Sequence, residues 1–141
     1  MKRILYTLLI LLCTGLSLSA QKLSKEEFRK RQEAFITQKA ELTPQEAERF
    51  FPLYFELEDK KAACNKKAWE KIRKGKEENL TDAEYNDIVE DVIKLRIKGN
   101  ELELEYVRKF KEFLPSKKIY NIQRAEMRFH RELLKNQKNR K

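Results

Sequence analysis

Few residues in this chain have side chains suited to chemistry. His130 is the sole imidazole in 141 residues, Cys13 and Cys64 are the thiols, and the serines beyond residue 20 are Ser24 and Ser116. A hydrolytic triad needs a nucleophile, an imidazole and an orienting acid together, and zinc or di-iron centres need several His, Cys or Glu ligands. One His cannot fill those sets, and no Glu-x-x-His pair occurs. Three glycines leave no phosphate-cradling loop. Glu101, Glu103 and Glu105 alternate, which spreads carboxylates around a helix. His130 follows Phe129 in an arginine-rich stretch and reads as an exposed or interfacial imidazole. Cys64 falls on the apolar face of a helical segment and reads as a small buried hydrophobe, with an intermolecular disulfide or a reactive thiol as the alternatives. The expectation is a protein without enzymatic activity, metal or cofactor.

What remains is binding, and composition says on what frame. Thirty-two Lys and Arg against 23 Asp and Glu give a net charge of +9, with only three Gly and three Pro. So little turn chemistry argues against sandwiches and barrels and for an all-α chain.

The first twenty residues read as an address. Lys2 and Arg3 precede the apolar run Ile4–Leu12, and Ser17-Leu18-Ser19-Ala20 supplies small residues before Gln21, the layout of a secretory signal peptide. The run is short for a bilayer span of about 20 residues, so no lasting membrane insertion is expected. Leu12 before Cys13 disfavours lipid attachment. Cleavage after Ala20 leaves residues 21–141, which keep all 23 acids and 30 of the 32 bases, a charge of +7. Cys64 is then the one thiol left, so no intramolecular disulfide can form.

Four helical segments are expected, three of them announced by capping boxes. Ser24 with Glu27 opens the first, whose apolar residues are Phe28, Phe35, Ile36 and Ala40. Thr43, Pro44 and Glu46 open the second, which carries Ala47, Phe50, Phe51, Tyr54, Leu57, Cys64, Ala68 and Ile72 and ends at Gly75. Pro52 should kink it near 48–52. Thr81 and Glu84 open the third, with Tyr85, Ile88, Val89, Val92, Leu95, Leu102, Tyr106, Phe110 and Phe113 running to Leu114, about 33 residues or ~50 Å. Gly99-Asn100 is its weak point. After Leu114-Pro115-Ser116 the fourth places Ile119, Ile122, Phe129, Leu133 and Leu134 on one face and frays over Lys135–Lys141. Short connections predict elongated antiparallel helical hairpins in a single domain, residues 21–141.

Charge is unevenly placed. Residues 77–91 hold seven acids and no base, and residues 106–141 hold twelve bases and three acids. One reading is solvated faces with complementarity between the blocks, inside the chain or across a dimer. The other is a cationic surface for acidic or unfolded partners. No nucleic-acid partner is expected, because acids interleave with the bases and the leader directs the chain out of the cytosol.

Leu42-Thr43-Pro44-Gln45-Glu46 and Leu80-Thr81-Asp82-Ala83-Glu84, repeated 38 residues apart on basic helices behind a leader, resemble the LTxxQ family of periplasmic proteins typified by Spy and CpxP. Both copies carry Glu where the family's name has Gln, which preserves the cap. The string Phe50-Phe51-Pro52-Leu53-Tyr54 and the tail Arg124-Ala125-Glu126 through Arg131-Glu132-Leu133-Leu134 are similar to a Bacteroidetes-type branch. Members of that branch are often labelled sensors or partners of extracytoplasmic-function sigma factor systems. The resemblance spans most of residues 24–135.

It implies an elongated helical hairpin, often dimerised into a curved cradle. In Spy-like members the cradle's basic and apolar concave face holds unfolded proteins without ATP. The functions that follow are an ATP-independent envelope chaperone of the stress response, a signalling partner of a sigma-factor or two-component system, or a structural homodimer without clients. On this view Leu42, Thr43, Glu46, Leu80, Thr81 and Glu84 are structural caps, and Phe50, Phe51, Tyr54, Arg124, Arg128 and Arg131 are the candidate binding residues.

Overall fold

The computed structural model describes residues 24–76 and 79–138. The leader expected over residues 1–20 and the last three residues of the tail lie outside them. The fold is all-α: α1 (Lys25–Ala40), α2 (Pro44–Lys74), α3 (Asp82–Phe110) and α4 (Ser116–Lys138).

Local chemistry accounts for the helix starts. All three expected capping boxes form. The Glu27, Glu46 and Glu84 backbone N–H groups donate to the hydroxyls of Ser24, Thr43 and Thr81 at 3.1, 3.3 and 3.3 Å, and the three carboxylates accept the reciprocal N–H bonds. Each cap satisfies otherwise orphaned donors and contributes about 1 kcal/mol. α1 ends at Glu41, a non-glycine residue in the left-handed region (φ 54°), whose turn lets the Leu42 N–H donate to Thr37 O at 3.1 Å.

α2 is helical on both sides of Pro52, which is exposed, so water can satisfy the carbonyl that proline's missing N–H leaves unpaired. Two boundaries depart from the sequence reading. α3 stops at Phe110, four residues before Leu114. Leu114 precedes Pro115, which disfavours helical backbone there, and the chain tightens through Phe113 N–H to Phe110 O at 3.2 Å. α4 stays helical through Lys138 instead of fraying from Lys135.

Side-chain pairs set the directions of packing. Lys61 meets Glu103 and Lys71 meets Asp91, so α2 and α3 are antiparallel. Lys25 meets Asp59 and Gln32 meets Tyr54, which runs α1 back along the first half of α2. Lys118 meets Glu46 and Tyr54 meets Glu126, so α4 lies parallel to α2. The closest backbone pairings are α2 with α3 and α1 with α4. The result has two parts. A four-helix base buries Ile36, Phe50, Phe51, Tyr54, Leu57, Tyr106, Phe110, Leu114, Ile119, Ile122 and Ala125 in one cluster. A two-helix arm continues beyond it, and there only Ala68, Val92 and Gly99 are fully buried.

The expected match between the acidic and basic blocks does not form within the chain among the described residues. The described part of the acidic stretch, residues 79–91, lies at the arm, where Asp91 pairs with Lys71 of α2 at 2.7 Å. Gly99, the expected weak point of α3, is helical, and a Cβ placed on it would meet nothing within 4 Å. Gly99→Ala should therefore raise stability by about 0.5–1 kcal/mol through helix propensity and reduced unfolded-state entropy, measured by urea denaturation.

Candidate interaction surface

α4 is the most strongly amphipathic of the four helices, and its two faces have separate tasks. Ile119, Ile122, Ala125 and Phe129 are buried against the base. Phe129 packs on Phe35 and Phe28 of α1, with ring centroids 5.4 and 5.6 Å apart. Because the inner face is anchored, the opposite face is held outward. There Tyr120, Met127 and Leu134 are 58–63% exposed and alternate with exposed Arg124 and Arg131. At roughly 100° per residue these five side chains fall within a quarter of the helix circumference. Arg128 and Lys135 flank them.

Arginine is stacked or held in place along this face. The Arg124 guanidinium lies 5.8 Å from the Tyr120 ring centroid, and Arg128 donates to Glu132 at 3.1 Å. Two shallow depressions border the face. One, about 180 Å³, is lined by Lys39, Asn121, Arg124, Ala125 and Arg128. The other, about 440 Å³, is lined by Arg124, Met127, Arg128, Arg131, Glu132 and Lys135.

The structure thus separates the six candidate binding residues into two sets. Arg124, Arg128 and Arg131 are exposed and gathered on one helix. Phe50, Phe51 and Tyr54 are core residues, 0%, 4% and 3% exposed, because Phe110 of α3 lies 4.7 Å from the Phe50 centroid and α1 and α4 close over the rest. A client cannot touch these rings while the base is packed. Leu134 is also displaced from its expected face: it follows Leu133 by one residue and so points outward. The capping residues Leu42, Thr43, Glu46, Leu80, Thr81 and Glu84 hold helix starts, and Leu42 is buried in the core cluster.

Tyr120 and Met127 escaped the sequence reading, as did exposed Trp69 on α2, while Leu134 was assigned to the inner face. The detectable signal was apolar residues at 120, 127 and 134, a seven-residue period out of phase with the inner face. Cationic side chains also cover rings elsewhere. The Arg29, Arg49 and Lys109 head groups sit 4.9, 4.4 and 4.1 Å from the centroids of Phe55, Phe113 and Tyr106. Their stems shield apolar surface while the charge stays wet.

Beneath the outer face, α4 is tied to α1 and α2 by a polar link through the core. Gln32 Nε2 donates to Tyr54 Oη at 2.7 Å, and Tyr54 Oη donates to Glu126 Oε1 at 3.1 Å. Burial, and then the neighbouring Glu126 and Glu58 charges, hold the Tyr54 hydroxyl protonated far above its ordinary range. Burial raises the Glu126 carboxyl as well, with Glu58 adding to the shift, while the Tyr54 bond and Lys61 oppose it. Burial would lower Lys61, but its bond to Glu103 and the surrounding carboxylates leave it raised. His130 is exposed beside Phe129, and Cys64 is a half-buried free thiol. Among the described residues there is no cluster of three or more His, Cys, Asp or Glu able to hold a metal, and no helix long and apolar enough to cross a membrane.

Glu126 makes the link pH-dependent. A carboxyl whose folded-state pKa is raised contributes stability fully below its ordinary value and loses it as pH rises through the higher folded value. Glu46 works oppositely: Lys118 and the Thr43 N–H lower its pKa, so its contribution is lost as pH falls. Glu126→Gln, which keeps an acceptor for Tyr54, should raise the melting temperature at neutral pH. Its advantage over the parent protein should shrink toward zero as pH falls below the carboxylate range, as read by thermal denaturation across a pH series.

Compared with known proteins, the chain matches no family model, no curated protein sequence and no solved structure.

Proposed function

We propose that this is a non-enzymatic envelope protein that binds unfolded or partially folded proteins without ATP through the outer face of α4. The observation that carries the reading is the alternation of exposed Tyr120, Met127 and Leu134 with Arg124 and Arg131 on a helix whose other face is locked into the core. Scattered singly, exposed apolar residues are ordinary. Three on one line, interleaved with guanidinium groups, make a surface on which short apolar contacts hold a segment and positive charge speeds its arrival.

The charge of +7 left after the expected cleavage supports capture of acidic or exposed-backbone segments, and the leader read in residues 1–20 supports action in the periplasm. The one imidazole, His130, stands exposed on α4. The shallow depressions beside the face suit an extended peptide rather than an enclosed small molecule. A stress-response role follows from the resemblance to the LTxxQ group and rests on it.

The test is light-scattering aggregation of a chemically denatured model protein with rising amounts of this protein at two salt concentrations. Suppression near stoichiometric ratios, weaker at high salt, is expected. The double variant Arg124→Glu with Arg131→Glu should lose most of it, several-fold in the ratio required, with helical content unchanged. No suppression by the parent protein at several-fold excess would overturn the reading and favour a single dedicated signalling partner in the envelope.

A further inference from the structure

We infer that the cleft between the end of α1 and the first half of α4 is a binding site for a phosphate monoester, with Lys39, Asn121, Arg124 and Arg128 as its donors. It is the depression of about 180 Å³ whose lining these four residues share with Ala125. Packing of the base assembles it. α1 runs against α2 and α4 runs with it, so the last turn of α1, which carries Lys39, lies beside the start of α4. On α4, residues 121, 124, 125 and 128 are spaced i, i+3, i+4 and i+7 and share one face. Ala125 is 3% exposed, and its single methyl group leaves depth between the longer side chains around it.

The charge in this cleft is not balanced from within the chain. Among the described residues no carboxylate lines it. Elsewhere Lys60, Lys61, Lys71, Lys94 and Lys109 each meet an acid at 2.7–3.0 Å. Lys39 and Arg124 have no such partner among the described residues, and Arg128 donates to Glu132 through Nε at 3.1 Å, a bond that leaves its terminal N–H groups to other acceptors. Arg124 and Arg128 stand one turn apart, a like-charge spacing that weakly disfavours the helix, and Lys39 adds a third cation from α1. An anion between them removes that repulsion. The head groups are also steadied beforehand, which lowers the cost of ordering them around a ligand: Lys39 Nζ lies 5.7 Å from the Phe35 ring centroid, and Arg124 lies over Tyr120. A phosphate monoester carries a charge of about −1.5 to −2 near pH 7 and three acceptor oxygens. Two guanidinium forks, an ammonium and a carboxamide supply matching donors. A carboxylate or a phosphodiester has a single negative charge and neutralises less of the three. Because the depression is shallow, whatever carries the phosphate stays outside, a soluble ester and a lipid headgroup alike. Arg124 and Arg128 border the client face, but Lys39 stands on α1 outside it, so the site holds whether or not clients bind.

Two binding measurements on the same protein test this: calorimetric titration with glycerol phosphate, and flotation with phosphatidylcholine vesicles that carry phosphatidic acid. Binding is expected in at least one. Lys39→Gln and Arg124→Gln replace exposed side chains, and each should weaken it at least fivefold while the circular dichroism spectrum stays unchanged. Lys39→Gln should leave suppression of client aggregation at the parent level, which separates this site from the client face. Binding of glycerol phosphate identifies a soluble ester as sufficient. Binding confined to the phosphatidic acid vesicles identifies the lipid headgroup. Absence of binding in both measurements, a loss of less than fivefold in Lys39→Gln, or equal retention by phosphatidylglycerol vesicles of matched charge would each overturn the inference.

Discussion

Burial of a cluster of aromatic rings at one end of the α2–α3 hairpin is the constraint on which the rest of the molecule depends. Phe50 is central to it, with Phe110, Phe51 and Tyr54 at 4.7, 5.1 and 5.3 Å between centroids. Such pairs add about 0.5–1.5 kcal/mol each beyond the area they bury. α1 spans 16 residues and reaches only from the α1–α2 turn to the level of Asp59, so the base is as long as α1 allows. Beyond it the hairpin has Ala68 and Val92 as its buried side chains. The arm draws its stability from continuity with the base rather than from a core of its own.

That division governs what the surface can do. Ile119, Ile122, Ala125 and Phe129 dock α4 on the aromatic cluster, so the outward direction of Arg124, Met127 and Arg131 follows from core packing. The polar link from Gln32 through Tyr54 to Glu126 fixes the rotation of α4 about its axis, a role that apolar contacts alone fill less specifically. Most of the ion pairs are exposed and contribute ~0–1 kcal/mol each, so the large positive charge is not needed for folding. Several cations are occupied as covers over aromatic rings. The arginines of α4 are exposed and concentrated on one face, Arg124 beside Tyr120 and Arg128 beside Glu132.

Features encoded within a few residues were legible in the sequence. Ser24–Glu27, Thr43–Glu46 and Thr81–Glu84 announce helix starts because a capping box is a contact between residues three apart. Helical periods made the all-α hairpins legible too. Features that need a third dimension were not. Phe50, Phe51 and Tyr54 read equally as core or contact surface until α1 and α4 were seen to close over them. Val89 joined the α3 apolar set in the sequence, though it stands exposed and only its neighbour Val92 faces in. The acidic and basic blocks seemed a natural pair by charge, yet the hairpin carries the acidic stretch to the arm, against Lys71. The early stop of α3 at Phe110, where the Glu112 and Phe113 N–H groups turn to carbonyls three residues back, had no local signal in the sequence, which breaks visibly only at Leu114-Pro115.

The account holds that clients dock on the outside of an intact fold. Hydrogen–deuterium exchange with and without a denatured client tests that claim directly. Slower exchange confined to α4, residues 116–138, with residues 50–57 equally protected in both states, is the predicted result. Faster exchange at residues 50–57 on adding client would contradict it, because it would mean that the aromatic core opens and itself receives the unfolded chain.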